Sequence, residues 1–185
     1  TTDRPTTTKT RIVEQTHNDQ ICRIDDELED SLDIETSLAV SLTDQIIRDL
    51  PNYRAVVLSD YNKGVLTSTL ASTLITACRD KNIPILVDPK PSNISRFRDC
   101  TLLTPNLSEA QAILGASAHT NLTGDARLEY CCRALQRATD SLMTVITCGS
   151  EGMVGIDHQG TYTHVRTQAR QIFDVTGAGD TVLAI

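Results

Sequence analysis

The chain has 185 residues, of which 39% are hydrophobic and 22% are charged, and this composition predicts a globular domain with a sizeable core. The net charge of −7 argues against a nucleic acid or an anionic membrane surface as a partner, and no apolar run approaches the about 18 residues that a membrane span needs. The six cysteines lack the spacing of a metal or redox site, and the four histidines are scattered. We therefore expect reduced thiols, no transition-metal site and a cytoplasmic location.

The first predicted elements are two short strands at residues 9–15 and 20–25, separated by a turn at 17–19. An amphipathic helix is predicted next, at residues 35–50, and it ends before Pro51. The apolar face predicted for this helix consists of Leu38, Leu42, Ile46 and Leu50.

Strands and helices alternate over the rest of the chain. The predicted strands lie at residues 55–58, 83–87, 101–103, 142–147, 153–156 and 161–165. The predicted helices lie at residues 67–81, at 108–114 with Ser108 as the capping residue, and at 125–137. This alternation predicts an α/β fold in which a doubly wound, mostly parallel sheet is flanked by helices.

Polar residues follow several of the predicted strands, at the point where each strand ends. They are Ser59-Asp60, Asp88-Pro89-Lys90, Pro105-Asn106 and Cys148-Gly149. Ligands of open α/β sheets bind beyond the carboxyl ends of the strands. We therefore expect these loops to converge on one site.

The most informative motif is Asp174-Val175-Thr176-Gly177-Ala178-Gly179-Asp180-Thr181. Gly177, Ala178 and Gly179 leave their backbone N–H groups uncovered just before an apolar stretch that can begin a helix, so the turn suits a phosphoryl group as an anion hole. Asp180 would repel that group unless it takes a proton from an attacking hydroxyl, which predicts a general base. The alternative is an aspartate that only caps the helix. The spacing fits neither the P-loop nor the dinucleotide fingerprint.

This octapeptide resembles the C-terminal signature of the ribokinase-like (PfkB) carbohydrate kinases. Other segments occur in the order and spacing of one branch of that family, the heptose 7-phosphate kinases, which often form the N-terminal half of a bifunctional kinase/adenylyltransferase. They are Leu58-Ser59-Asp60-Tyr61-Asn62-Lys63-Gly64-Val65-Leu66, Val87-Asp88-Pro89-Lys90 and Leu103-Thr104-Pro105-Asn106-Leu107-Ser108-Glu109, with Thr8-Lys9-Thr10-Arg11 and Cys22-Arg23-Ile24-Asp25 at the start. The resemblance covers essentially the whole chain and implies a ribokinase-like fold with part of a small β lid.

The resemblance implies an ATP and Mg²⁺ site at Asn106, Leu107, Ser108 and Glu109. In the family, the Asn and Glu of this motif lie near the ATP phosphates and organise Mg²⁺ through water, and the Glu109 carboxylate suits that cation. The alternative is a capping turn in which Asn106 satisfies backbone groups. Lys90 follows a strand end and can reach a phosphate, although an isolated lysine there is usually solvated.

One further segment borders the nucleotide in the family, and another lies beside a cation in some relatives. The one that contains Thr147, Gly149 and Gly152 resembles the turn beside the nucleotide, but its glycines would serve a turn in either interpretation. Some relatives hold a monovalent cation beside the last motif, which implies a K⁺ site at Asp174 and Thr176.

The acceptor side of the site is predicted at the end of the first core strand. Ser59, Asp60 and Tyr61 could contact sugar hydroxyls, and Lys63 could contact a sugar phosphate; the alternative for Asp60 is an aspartate that stabilises the loop. Asn62 departs from the branch, which usually has a small residue there. The lid strands add two more candidates for substrate contact, Arg11 and Arg23.

The chain begins without Met and ends five residues after Asp180, which predicts a fragment. Residues 1–185 would then form a partial kinase domain, truncated at both ends, with lid strands at about 8–25 and an α/β core at 35–185. The family normally carries further sheet strands and a Gly-Gly sugar-binding turn upstream, and further helices downstream. We expect the full-length protein to be a homodimer.

The resemblance implies transfer of the γ-phosphoryl group of ATP to D-glycero-β-D-manno-heptose 7-phosphate, giving the 1,7-bisphosphate on the way to ADP-heptose and lipopolysaccharide precursors. One alternative keeps this chemistry with another sugar or a nucleoside as acceptor. A second alternative is a non-catalytic, nucleotide-binding relative, and the presence of Asp180 argues against it.

Overall fold

The computed structural model describes residues 6–14, 20–26, 36–115, 121–167 and 181. Its strands are β1 (Thr8–Val13), β2 (Gln20–Asp26), β3 (Val56–Ser59), β4 (Ile85–Asp88), β5 (Leu102–Leu103), β6 (Met143–Thr147), β7 (Met153–Ile156) and β8 (Tyr162–Val165). Its helices are α1 (Thr36–Asp49), α2 (Ser68–Asp80), α3 (Leu107–Leu114) and α4 (Gly124–Thr139), with short 3-10 helices at Leu50–Asn52, Pro91–Phe97 and Gly149–Glu151. Each predicted strand and helix is present, with ends that differ by about two residues at most.

Strands β3 to β8 form one sheet in the order β3-β4-β5-β6-β7-β8. The first four strands are parallel, whereas β7 and β8 pair antiparallel to their neighbours. Parallel neighbours need a crossover, and α2 provides it between β3 and β4, as α3 and α4 do between β5 and β6. This topology confirms the predicted α/β fold with a mostly parallel sheet.

The core lies between the sheet and the helices. Helix α2 shows why: Thr67 caps it by accepting a hydrogen bond from Leu70 N at 3.1 Å, and Leu70, Leu74 and Cys78 recur on one face and are buried. Other large side chains that are fully buried are Phe97, Ile85, Val87, Leu103, Leu128, Leu135, Ile146, Val154 and Ile156. Within the described ranges, no helix combines the length and apolar character needed to cross a membrane.

Two details of the predicted helices were wrong. In α1 the buried face is rotated, because Leu38 is 44% exposed while Ala39 and Thr43 are buried; the Thr43 hydroxyl donates to Ala39 O at 2.7 Å, which lets a polar residue face the core. In α3 the capping residue is Asn106 and not Ser108, because the Asn106 side chain reaches the free amide of the third helical residue.

Strands β1 and β2 form a separate two-stranded sheet. They pair antiparallel from Thr8 opposite Asp26 to Val13 opposite Gln20, and both strands are exposed along their length. The two strands predicted at the start of the chain are therefore present, whereas the predicted turn at 17–19 lies outside the described residues.

Candidate active site

The carboxyl ends of the parallel strands lie side by side at one edge of the sheet. Asp60 N donates to Asp88 O at 2.9 Å, and Thr147 N donates to Pro105 O at 3.1 Å. Asn106 and Thr147 form a parallel β-bridge just beyond the ends of β5 and β6. The loops that follow these strands are therefore neighbours, as the sequence predicted.

The amino terminus of α3 is fixed by a reciprocal cap. Asn106 Oδ1 accepts hydrogen bonds from Glu109 N at 2.9 Å and from Ser108 Oγ at 2.6 Å, and Glu109 Oε2 accepts from Asn106 N at 3.0 Å. This capping box satisfies amides that the first helical turn leaves unpaired. The structure thus contains the capping turn that the sequence left open as the alternative for Asn106.

The other carboxylate oxygen of Glu109 pairs with a lysine from the neighbouring strand end. Lys90 Nζ lies 2.7 Å from Glu109 Oε1, with the Lys90 side chain 40% exposed and the Glu109 side chain 12% exposed. The hydrogen bond that Lys90 donates to Glu109 raises the pKa of Lys90. Burial opposes this increase, and the charges of Glu109, Asp88 and Asp60 add to it. Lys90 is therefore a fixed cation among three carboxylates at this edge of the sheet.

A buried polar network orders the loop after β3. Asp60 is only 4% exposed; its Oδ1 accepts from Asn62 N at 2.7 Å, and its Oδ2 accepts from Asn93 Nδ2 at 2.8 Å. Asn93 Nδ2 also donates to Asn62 Oδ1 at 2.9 Å. The φ of Asn62 is 54°, a left-handed conformation that asparagine tolerates better than most residues. This geometry matches the loop-stabilising alternative for Asp60, and its contact with a substrate stays a prediction.

The other predicted acceptor residues of this loop lie around the network. The Ser59 hydroxyl is buried and has no hydrogen-bond partner within the described ranges. Tyr61 is 62% exposed, and Lys63 is partly exposed. The structure therefore brings these side chains to the same strand end, whereas their substrate contacts stay predictions.

A tight turn follows β6 and contains the predicted Thr147, Gly149 and Gly152. Gly149 and Gly152 have φ values of 58° and 94°, which favour glycine. A Cβ on Gly152 would lie 2.1 Å from Val165 O, because the end of β8 passes directly over this residue. The glycines are thus required by the turn, and their contact with a nucleotide stays a prediction.

Several predicted site residues are not tested by this geometry. Asp174, Thr176, Gly177, Ala178, Gly179 and Asp180 lie outside the described residues. Arg11 and Arg23 lie opposite each other in the β1–β2 register, and Arg23 Nε donates to Asp25 Oδ1 at 2.7 Å. The roles assigned to all of these residues stay predictions.

Two residues that support these loops were not predicted from the sequence. Asn93 lies in the 3-10 helix that begins just after Lys90. The signal in the sequence was that it comes only five residues after Asp88, the last residue of β4, and is therefore close to a strand end. His164 lies on β8 and is 10% exposed at its side chain; the alternation of β8, which turns Tyr162 and His164 to the same face, was the signal there.

A cavity of about 850 Å³ lies at the opposite, amino-terminal edge of the strands, with Ile83, Thr101 and Leu142 among its lining residues. None of the site residues predicted from the sequence lines this cavity. Because ligands of such sheets bind at the carboxyl ends of the strands, the loop cluster is the better candidate for the active site.

The sequence profile described as "pfkB family carbohydrate kinase" matches residues 1–184. The chain belongs to the pfkB family. Over 187 aligned residues it is 42% identical to the bifunctional protein HldE of Geobacter metallireducens, an alignment that covers 98% of this chain and 36% of that protein. The chain thus spans about a third of the length of this curated relative.

Solved structures of lower identity share the pfkB-type fold. Phosphofructokinase-2 from Escherichia coli in complex with potassium superposes with a TM-score of 0.63 at 19% identity, over 80% of this chain and 47% of that one. Ribokinase from Giardia lamblia superposes with a TM-score of 0.63 at 16% identity, over 98% of this chain and 54% of that one. These likenesses confirm the ribokinase-like fold.

Proposed function

We propose that this chain is part of a kinase that transfers the γ-phosphoryl group of ATP to D-glycero-β-D-manno-heptose 7-phosphate, giving the 1,7-bisphosphate. The observation that carries this proposal is the Lys90–Glu109 pair at the start of α3, at the strand edge where a pfkB-family chain would bind its substrates. The heptose phosphate is the proposed acceptor because the Ser59-Asp60-Tyr61 and Asp88-Pro89-Lys90 segments resemble that branch. The 42% identity to the bifunctional protein HldE supports the same choice.

The donor set at the strand ends fits the phosphates of ATP with Mg²⁺. Lys90 supplies a compact positive charge, and the first-turn amides of α3 favour an anion. We assign Asn106 and Glu109 to hold the metal, since Mg²⁺ prefers one or two carboxylates together with phosphate oxygens. Bound Mg²⁺ would neutralise charge on the phosphates. Leu107 and Ser108 would contribute backbone amides beside it.

The nucleotide would extend from these phosphates toward the turn after β6. Thr147, Gly149 and Gly152 would border it, because this turn adjoins Asn106 through the β-bridge and its glycines leave the backbone uncovered. Asp174 and Thr176 would hold K⁺ near the last motif; the potassium bound to a protein of the same fold supports this assignment.

The chemical step would depend on the last motif. Asp180 would accept the proton of the attacking sugar hydroxyl, and the amides of Gly177, Ala178 and Gly179 would stabilise charge on the transferring phosphoryl group. Asp180 and the glycine amides would act on the same phosphoryl group as Lys90 only if the glycine turn faces Lys90 across the strand ends.

The acceptor would bind at the end of β3. We propose that Asp60 and Asn93 order the loop that presents Ser59, Tyr61 and Lys63 to the sugar phosphate. Arg11 and Arg23 would contribute from the β1–β2 hairpin, which would act as a lid.

We further propose that residues 1–185 are part of a longer kinase domain, with the lid strands near 8–25 and the core at 35–185. The short span of the alignment, 36% of the bifunctional protein HldE, supports this domain assignment. The longer protein would act as a homodimer in the cytoplasm.

The direct test is Asp180→Asn in the full-length protein, assayed for ADP release with MgATP and heptose 7-phosphate. We expect kcat to fall by at least about 10²- to 10⁴-fold while nucleotide binding persists, since the amide keeps its size but cannot accept the proton. Asp80→Asn, at the exposed last residue of α2, is the matched control and should leave kcat unchanged.

A near-normal kcat in Asp180→Asn would refute the assignment of the base. Turnover of another sugar or of a nucleoside in preference to the heptose phosphate would favour the second acceptor class. Nucleotide binding without any sugar-dependent turnover of the wild type would favour the non-catalytic relative.

A further inference from the structure

The loop between β3 and α2, residues 60–66, contacts the 3-10 helix Pro91–Phe97 at both of its ends. Its start carries the buried network around Asp60, to which this helix contributes the amide of Asn93. Its end receives a second side chain from the last turn of the same helix. One short helix therefore holds this acceptor loop twice.

The second contact is a hydrogen bond from Arg96 to the backbone at the end of the acceptor loop. Arg96 Nη1 donates to Leu66 O at 2.6 Å, and Arg96 is partly buried. Because Thr67 is the capping residue of α2, the carbonyl of Leu66 precedes the helix and lies outside its hydrogen-bond ladder. Such a carbonyl needs a partner from elsewhere when it is removed from water, and the guanidinium supplies a charged donor.

The two contacts confine the part of the acceptor loop that carries Lys63. Asn62 is fixed by its hydrogen bond to the Asp60 carboxylate, and Leu66 is fixed from the other side, so three residues lie between the two anchors. The middle one of the three, Gly64, is buried at a φ of 77°, a conformation that glycine adopts without strain. A segment this short that is fixed at both ends has few conformations, so the position of Lys63 depends on both anchors.

Arg98 makes the same kind of contact at the other edge of the sheet. Its Nη1 donates to Ala138 O at 3.0 Å, and its guanidinium also pairs with Asp140, which lines the cavity at the amino-terminal edge of the strands. Arg96 and Arg98 thus come from one segment, and each binds a backbone carbonyl. The carbonyl bound by Arg96 belongs to the acceptor loop, whereas the one bound by Arg98 belongs to the end of α4.

We propose that Arg96 is a positioning residue for the acceptor: it fixes the end of the acceptor loop and thereby holds Lys63 where that lysine contacts the phosphate of the sugar. This inference rests on the proposed function, because it assumes that Lys63 binds that phosphate. A charge on a loose segment contributes less to binding, since the segment must be ordered when the ligand arrives. With Arg96 in place, this ordering precedes the substrate.

Three substitutions test the role of the Arg96 side chain. Arg96→Met keeps an unbranched aliphatic stem and removes the donor, whereas Arg96→Lys keeps a charged donor on a flexible stem. Arg98→Met is the matched control, because it removes the same group from the same segment and releases a carbonyl of α4 instead.

The experiment measures kcat and the KM values for ATP and for heptose 7-phosphate in the full-length protein. In Arg96→Met, KM for the sugar phosphate should rise about three- to tenfold, the factor expected for one lost hydrogen bond, whereas kcat and KM for ATP should change much less. Arg96→Lys should restore most of the affinity, and Arg98→Met should match the wild type in both KM values. A purely structural loss would lower the fraction of active enzyme, and therefore kcat, without raising KM for the sugar phosphate.

A double-mutant cycle with Lys63 shows whether Arg96 acts through that lysine. Lys63→Met alone should raise KM for the sugar phosphate, and Arg96→Met should then add little, because the loop no longer carries the group that it positions. Additive increases would mean that Arg96 acts on the substrate independently, by contact or through its charge, and would overturn the proposal. Equal effects of Arg96→Met and Arg98→Met, or a parallel rise in KM for ATP, would overturn it as well.

Hydrogen exchange without substrate separates this inference from the proposed function. Exchange in a peptide that covers residues 60–67 should be faster in Arg96→Met than in the wild type and in Arg98→Met, whatever the acceptor is. Unchanged exchange would refute the clamp, and faster exchange with an unchanged KM for the sugar phosphate would leave Arg96 a structural role only and refute the positioning role. A wild type that does not turn over heptose 7-phosphate, or a Lys63→Met variant with the KM of the wild type, refutes the proposed acceptor contact and the positioning role together, while the exchange data still show whether Arg96 holds the loop.

Discussion

Gly152 and Gly149 offer a matched pair of substitutions within one turn. Both have positive φ, but their surroundings differ. A Cβ added to Gly152 would lie 2.1 Å from Val165 O, 2.8 Å from Thr167 N and 2.9 Å from Arg166 Cα, whereas a Cβ added to Gly149 would meet no atom within 4 Å. The three atoms near Gly152 belong to the backbone, so no rotamer change can relieve the contact.

These distances set the expected loss of stability. Gly149→Ala adds only the left-handed strain of an L-residue, about 1–2 kcal/mol. Gly152→Ala adds a comparable strain at φ 94° and must also open the pairing of Met153 with Val165 at the end of the β7–β8 ladder. Overpacking of this kind costs a further about 1–3 kcal/mol, so we expect a total loss of about 2–5 kcal/mol.

The assay is hydrogen exchange of peptides that cover β7 and β8 in the full-length protein, with and without urea, because it reports the free energy of this region separately from other domains. Gly152→Ala should also raise KM for ATP more than Gly149→Ala does, since the displaced turn is the proposed nucleotide contact. Equal losses of stability in the two variants would refute the reasoning, because the close approach of β8 would then have no energetic consequence.

Two further substitutions test the two ends of the site. Glu109→Gln should raise the Mg²⁺ concentration needed for half-maximal rate and slow transfer, because it removes a carboxylate from the proposed metal environment; Glu129→Gln, in an exposed pair with Arg133, is the control, and an unchanged Mg²⁺ titration would leave capping as the only role of Glu109. Asn93→Ala should reduce stability by about 1–3 kcal/mol, because it removes the donor to Oδ2 of the buried Asp60 carboxylate. It should also raise KM for the sugar more than KM for ATP, and equal changes in the two constants would separate Asn93 from the acceptor loop.

The fold was predictable because its signals are local and repeated. Alternating apolar strands and helices of ordinary length leave few topologies once parallel strands and crossovers are required. The convergence of the strand-end loops followed from that topology alone, and the hydrogen bonds between Asp60 and Asp88 and between Thr147 and Pro105 confirm it.

The two helix details that were predicted wrongly depend on side-chain hydrogen bonds to the backbone of the same segment. Leu38 fits the apolar stripe predicted for α1, but it is exposed, and Thr43 is buried. Thr43 can face the core because its hydroxyl donates to the backbone oxygen of Ala39 in the same helix. Asn106 and Ser108 are both good capping residues, and the structure shows that Asn106 caps α3. The glutamate three residues after Asn106 was the local signal for that choice, because this spacing is typical of a capping box.

The residues at the candidate site divide in the same way. Lys90, Asn106 and Glu109 were predicted as site residues because they follow strand ends or begin the next helix and carry groups suited to phosphate or metal chemistry, and their contact with ATP and Mg²⁺ stays a prediction. Asn93 and His164 were missed, because the local signals do not show the partner on which each acts, and that partner is distant in sequence: Asp60 lies 33 residues from Asn93, and Asp125 lies 39 residues from His164. Motifs therefore identify groups that could meet a ligand, whereas the groups that orient them emerge only when the sheet brings separate segments together.

This division bears on how the capping box should be interpreted. Oε2 of Glu109 is occupied by the cap and Oε1 by Lys90, so the carboxylate is held in one orientation by contacts on both sides. A carboxylate that is held in this way loses little conformational entropy when it meets a ligand, which is the advantage of a preorganised site. The capping role and the proposed phosphate-site role of Asn106 and Glu109 therefore support each other, and the variants that separate them must change the carboxylate's charge while keeping its shape, as Glu109→Gln does.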